Sequence, residues 1–211
     1  RLHRNYQDDI SLHYYLLASK DGITIGKRYF KHENNKEDYP FSPSGHNLYD
    51  NNSKLYYCRD FDNIVYQIHE DSVVPRFRIN LPNPLPASMI EERPNEMSLL
   101  RSGYSLGITD IYEYGGLLFF RFVKDGYIWS CLYNVEESKQ VYCAKRIKFL
   151  DSSLIDTIDG IYKDCFYSIL TPEYLDYAFS ENPLEDYPDL FKTYDVEGDN
   201  PVIAFYRAVV R

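Results

Sequence analysis

An internal repeat constrains this chain more than any other feature. Tyr14-Tyr15-Leu16-Leu17 recurs 41 residues later as Leu55-Tyr56-Tyr57-Cys58, and the same offset carries Asp21-Gly22-Ile23 onto Asp62-Asn63-Ile64 and Ile25 onto Tyr66. An offset of 63 then carries Leu55-Tyr56-Tyr57 onto Leu118-Phe119-Phe120, Asp62-Asn63 onto Asp125-Gly126, Tyr66 onto Trp129 and Ile68 onto Cys131. The first offset falls in the ~40–45-residue period of a propeller blade, a unit that cannot bury its apolar faces alone. The second is one period plus an insertion, which lies at residues 82–104. One unit seen three times explains both.

Within the unit, short apolar runs alternate with turn signals, and helical periodicity is scarce. The spacing predicts one blade with strands at Asn47–Asp50, Lys54–Arg59, Asn63–His69 and Pro75–Leu81. The next has strands at Ile108–Tyr114, Gly116–Val123, Gly126–Asn134 and Gln140–Phe149. Asp21-Gly22 and Asp125-Gly126 read as two-residue hairpin turns, because a type I′ turn needs positive φ at both central positions. The second strands, such as Leu117-Leu118-Phe119-Phe120, are apolar on both faces, as a strand sandwiched between sheets must be. The fourth strands alternate, with Arg76, Arg78 and Asn80 set against Phe77, Ile79 and Leu81. That pattern suits an outer strand with one wet face and a charged edge.

Residues 11–30 supply two strands of a blade whose start lies upstream. Strands at Gly160–Tyr162 and Cys165–Leu170 follow at the other end, then a helical stretch around Pro183–Thr193, an acidic loop Tyr194–Asn200 and a closing strand Pro201–Val210. The fold class expected is all-β: a β-propeller of four-stranded antiparallel blades. Residues 1–211 form one domain covering roughly its last four blades, with 82–104 inserted between two of them. A blade without a neighbour exposes an apolar face, so further blades upstream of Arg1 are expected.

Composition narrows the function. The formal charge is −9, from 23 Lys+Arg against 32 Asp+Glu, which argues against nucleic acid because affinity for a phosphate backbone rests on clustered cations. No apolar run approaches the ~18 residues that a membrane span needs. With 22 Tyr and 12 Phe against 2 Met and 1 Trp, the core is built from aromatics that favour strands.

The run Phe41-Ser42-Pro43, Leu55-Tyr56-Tyr57, Ile64-Val65-Tyr66-Gln67-Ile68 and Pro75-Arg76-Phe77-Arg78-Ile79, with the closing Asp199-Asn200-Pro201-Val202-Ile203, resembles the six-bladed β-propeller proteins of the Bacteroidetes cell envelope. The resemblance implies six blades in the intact protein, an extracytoplasmic location in the periplasm or at the outer-membrane surface, and a lipid anchor upstream. It implies no established activity.

Several motifs test for chemistry. Gly103-Tyr104-Ser105-Leu106-Gly107 matches the G-x-S-x-G nucleophile elbow. That elbow sits between strand and helix and has its His later in the chain. Here a strand follows, and His3, His13, His32, His46 and His69 all lie upstream, so a glycine-punctuated loop is the better reading. His and Cys spacings offer no zinc site. Asp60 with Asp62, or Asp195 with Glu197 and Asp199, could supply oxygen ligands to a structural calcium ion, although both sets also read as plain solvated turns. Asp110, Glu113 and Asp159 are the carboxylates that a channel-mouth glycoside chemistry would draw on, and no spacing selects a pair. Tyr56, Phe120 and Trp129 fit packing between blades better than a sugar platform.

Cys131 and Cys143 face one another if the Asn134–Lys139 turn centres on Glu137, within disulfide range. A one-residue slip would leave two thiols. No catalytic residue and no cofactor is assigned. The function expected is a non-enzymatic envelope binding or scaffold protein for a glycan, peptide or partner protein. The alternative is a propeller-type carbohydrate-active hydrolase or lyase with carboxylates at the central channel.

Overall fold

The computed structural model describes residues 14–21, 26–31, 47–92, 94–145, 147–149, 152–155, 158–181, 191, 193–195, 197–198 and 200–207. The chain divides into two compact units, 1–41 and 42–211.

In the first unit, strands β1 (Tyr14–Ala18) and β2 (Lys27–Lys31) form an antiparallel hairpin. Their register runs from Tyr14↔Lys31 to Ala18↔Lys27, and the two-residue turn is expected at Asp21-Gly22. Gly22 itself lies outside the described residues.

The second unit holds two four-stranded antiparallel meanders and a three-stranded sheet. The first meander is β3 (Leu48–Asn51), β4 (Lys54–Cys58), β5 (Ile64–Ile68) and β6 (Val73–Arg78). The second is β7 (Ser105–Tyr114), β8 (Leu117–Lys124), β9 (Tyr127–Asn134) and β10 (Lys139–Ala144). A short pair, β11 (Ile147–Phe149) and β12 (Ser152–Ile155), comes next. Then β13 (Gly160–Tyr162) and β14 (Cys165–Leu170) are joined by the distant β15 (Val202–Tyr206). None of these sheets closes on itself.

The three sheets share one turn chemistry. Each opening strand passes to the second through a two-residue turn whose first residue has positive φ: Asn52 (52°), Gly115 (58°) and Lys163 (53°). Asp125-Gly126 makes the predicted two-residue turn between β8 and β9, with φ of 55° and 72°. Burial follows strand position. In β8, Leu117, Leu118, Phe119 and Phe120 are all buried, so both faces are covered.

One expectation needs correction, and the structure adds helices beyond the one expected. Gln140–Phe149 is not one strand: it breaks after Ala144, and β11 pairs with β12 instead of extending the blade. The insertion at 82–104 contains two short helices, α1 (Ala87–Glu91) and α2 (Glu96–Leu100), the second capped by Asn95, which accepts from the Ser98 amide at 2.9 Å. A ten-residue helix, α3 (Pro172–Glu181), follows β14 earlier than the stretch expected around Pro183–Thr193, most of which lies outside the described residues. Its start signal is present in the sequence: Thr171 accepts from the Tyr174 amide at 3.3 Å, and Pro172 and Glu173 occupy the first turn. Leu175 and Ala178 of α3 join Leu170 and Phe191 in a small second core. No helix among the described residues is long and apolar enough to cross a membrane.

The main core spans all three sheets. Tyr49 meets Tyr112 edge-on with centroids 6.1 Å apart, and Tyr114 meets Phe166 the same way at 6.4 Å; such pairs contribute about 0.5–1.5 kcal/mol beyond their burial. Between the first two sheets the backbones come close. The Ile108 amide donates to Asp62 O at 3.2 Å, and a Cβ placed on Gly107 (φ +94°) would stand 2.8 Å from Phe61 Cα. Only glycine satisfies both the backbone angle and the space. Gly107→Ala should therefore lower stability by about 2–4 kcal/mol in denaturant unfolding, from positive-φ strain and overpacking together. An unchanged midpoint would show that the Phe61–Asp62 loop is not held against β7.

Candidate functional site

The opening strands β3, β7 and β13 pack against one another, and a cleft of about 310 Å³ opens where they meet. Tyr49, Asp50 and Asn52 line it from β3 and its turn, Tyr112 from β7, and Asp159, Gly160 and Tyr167 from the third sheet. A Cβ on Gly160 would stand 2.7 Å from the Tyr167 ring, so the glycine is what allows the ring to lie across β13.

The lining groups divide into fixed and available ones. Burial, reinforced by the Asp110 charge, pushes the Tyr49 and Tyr112 hydroxyls well above the ordinary tyrosine range, so both stay neutral donors. Tyr49 donates to Thr109 O, and Tyr112 donates to Asp159 O at 3.0 Å. Asn52 donates from Nδ2 to Lys163 O at 3.3 Å. Asp159 accepts the Ile169 amide on Oδ2 at 2.7 Å, which orients its carboxylate. The Asp50 side chain, exposed near the end of β3, has no hydrogen-bond or ion-pair partner among the described residues. The cleft thus presents two carboxylates, an amide and tyrosine surface, and among the described residues no Lys, Arg or His lines it.

The carboxylates singled out from the sequence do not converge. Asp110 is 5% exposed and accepts from Arg121 at 2.7 Å. Glu113 accepts from Lys54 at 3.0 Å, from Arg76 at 3.1 Å and from the Tyr56 hydroxyl, so its oxygens tie β7 to the first sheet. Of the three, only Asp159 lines the cleft. Asp50, Asn52 and Tyr167 were missed. The available signal was positional: Asp50 and Asn52 close the opening strand of the repeat, and Asp159 precedes the equivalent strand β13.

The other motifs resolve into structure. Ser105 is 1% exposed, donates its hydroxyl to Pro82 O and exchanges backbone hydrogen bonds with Asn83 and Leu85, so it anchors the insertion. Of the five histidines only His69 lies among the described residues. Asp62 accepts from Arg59 Nε at 2.9 Å and from the amides of Asn63 and Ile64. Asp195 accepts the Glu197 amide, and Asp199 lies outside the described residues. Among the described residues no three His, Cys, Asp or Glu side chains gather as a metal site. Tyr56 and Phe120 are buried in the main core, and Trp129 stacks on Phe122 with centroids 6.2 Å apart. Cys131 pairs with Cys143 in the β9–β10 register, and a β-bulge between Gln140 and Tyr142 sets that alignment. Their sulfurs lie at bonding distance, with Cα atoms 4.0 Å apart.

Comparison with known proteins gives a consistent picture. A family described as a six-bladed β-propeller matches residues 3–153, more than half of the chain. A Bacteroides fragilis crystal structure, named a "putative exported protein", is similar with a TM-score of 0.69 at 16% identity, covering 96% of this chain and 60% of that one. The chain therefore spans about 60% of the length of that solved protein. No curated protein matches.

Glu113 also generates a pH dependence. Burial disfavours its charged form, but hydrogen bonds from Tyr56, Lys54 and Arg76 outweigh that and hold its carboxyl below the usual glutamate range. A depressed carboxylate contributes stability that is present above its unfolded pKa of about 4.3 and is lost as pH falls through the folded value. Glu113→Gln should therefore lower stability at pH 7 and flatten its decline below about pH 4.3, read by thermal unfolding against pH. A decline as steep as the wild type's would assign the acid sensitivity to other groups.

Proposed function

The chain belongs to the six-bladed β-propeller family, and we propose that it forms part of a six-bladed ring that binds a glycan at the axial cleft without chemically altering it. The carrying observation is the cleft itself. Asp50, Asn52 and Asp159 offer acceptors and an amide beside Tyr167, the combination of convergent polar groups and ring surface that takes a polyhydroxylated ligand. The engagement of Asp110 by Arg121, and of Glu113 by Lys54, Arg76 and Tyr56, weighs against either as the acid or base of a hydrolase.

Location enters the same reading. The exported description of the Bacteroides fragilis protein supports an extracytoplasmic site for this one, and such a compartment permits a Cys131–Cys143 bond. A bond closing a loop of this size contributes about 3 kcal/mol in the chain-entropy account.

Thermal shift against panels of glycans, basic peptides and divalent cations tests the binding reading, since a ligand at about 100-fold its Kd stabilises by ~2.7 kcal/mol. A glycan should raise the Tm of the wild type and not of Asp50→Ala. A shift with peptides alone would replace the ligand class, and release of shortened sugar would replace binding with hydrolysis. For the cysteines, alkylation of the unfolded, unreduced protein from an oxidising compartment should modify Cys58 and Cys165 alone, counted by intact mass. Modification of all four cysteines would remove the bond.

A further inference from the structure

We propose that the cleft selects a glycan bearing a free, protonated amine, an amino sugar, over neutral and acidic sugars. This rests on the glycan reading above and names the chemical class of the ligand within it.

Donors and acceptors in the lining are unequal. The Tyr49 and Tyr112 hydroxyls are committed to the carbonyls of Thr109 and Asp159, and Asn52 Nδ2 meets the carbonyl of Lys163. Asp159 accepts the Ile169 amide on Oδ2, while its Oδ1 carries no hydrogen bond or ion pair among the described residues. Neither oxygen of the Asp50 side chain carries one. The capacity left over is therefore mostly acceptor, and it sits on two carboxylates. A sugar hydroxyl offers one hydrogen and is itself an acceptor. An ammonium offers three donors, no acceptor and a positive charge, and its hydrogen bonds to a carboxylate are roughly twice as strong as neutral ones.

Basic side chains near the rim are directed elsewhere. Lys54, just past Asn52 in the chain, donates to Glu113 at 3.0 Å. Lys163, whose carbonyl meets Asn52, holds its ammonium 5.2 Å from the centroid of the Tyr162 ring. Arg121 is paired with Asp110 at 2.7 Å. The two rim carboxylates thus keep their charge for a ligand, and the formal charge of −9 adds long-range attraction for a cation. Tyrosine rings suit the same ligand, because the face of an aromatic ring attracts a cation. An acidic sugar would instead meet two like charges with no cation in the lining to offset them, which excludes it as effectively as the amine is drawn in.

Calorimetric titration of the intact protein at mildly acidic pH, where a sugar amine is protonated, tests this. The probes are oligosaccharides of one linkage and length built from glucosamine, N-acetylglucosamine or glucose, with an oligogalacturonate and an oligolysine beside them. The glucosamine form should bind about tenfold more tightly than the other two, and the galacturonate should not bind. Asp50→Asn and Asp159→Asn keep the side-chain shape and, at 159, an acceptor for the Ile169 amide, so each should remove most of that preference. Glu137→Gln, an exposed carboxylate in the β9–β10 turn, should retain it. Equal binding of the three neutral and amino glycans, or galacturonate binding as tight as glucosamine, would overturn the amine preference and leave the glycan reading standing. An equal loss in Glu137→Gln would overturn it too, by making the attraction one of overall charge. Binding of oligolysine with no glycan bound would sink the glycan reading and this proposal with it.

Discussion

The contact between the first two sheets depends on one buried amide. Asn51, 3% exposed at the end of β3, donates from Nδ2 to Tyr49 O and Ile111 O, both at 3.3 Å, and accepts the Glu113 amide on Oδ1 at 2.6 Å. A buried amide left unpaired costs about 1–3 kcal/mol, so this one fixes the register in which β3 lies on β7. Everything nearby is set by that register. Tyr49 reaches Thr109 O, and Lys54, Tyr56 and Arg76 converge on Glu113. The Phe61–Asp62 loop rests on Gly107. Because Asn51 lies between Asp50 and Asn52, the same residue that joins the sheets also aims the rim of the cleft.

The architecture was legible because a radial repeat writes its period twice, once in apolar runs and once in turns. The double-faced Leu117-Leu118-Phe119-Phe120 and the Asp125-Gly126 turn each predicted a local geometry that long-range packing then agreed with. Failures came where long-range packing decided. Nothing local distinguishes a break after Ala144 from a continuing strand, since Ile147 and Phe149 keep the alternation while changing partner to β12. Helix α3 was hidden by its apolar and aromatic content, although Thr171-Pro172-Glu173 announced it.

The site was less legible than the fold. Acidic residues occur throughout the chain, so sequence could not separate carboxylates consumed by packing from those left available. Asp110 and Glu113 look like catalytic candidates until Arg121, Lys54, Arg76 and Tyr56 are seen to engage them. Asp50 looks like an ordinary turn residue until three opening strands meet beside it. Availability is a property of the assembled sheets, and the repeat reports on it only through strand position.

Native-state hydrogen exchange tests most directly whether the sheets are one cooperative body joined through Asn51. The amides of Ile108 and Glu113, which bond across the seam, should exchange only through global unfolding, with the same free energy as amides in the centre of β8. Exchange of those two amides through a local opening far less costly than that of β8 would show that the sheets part independently, and would contradict the account.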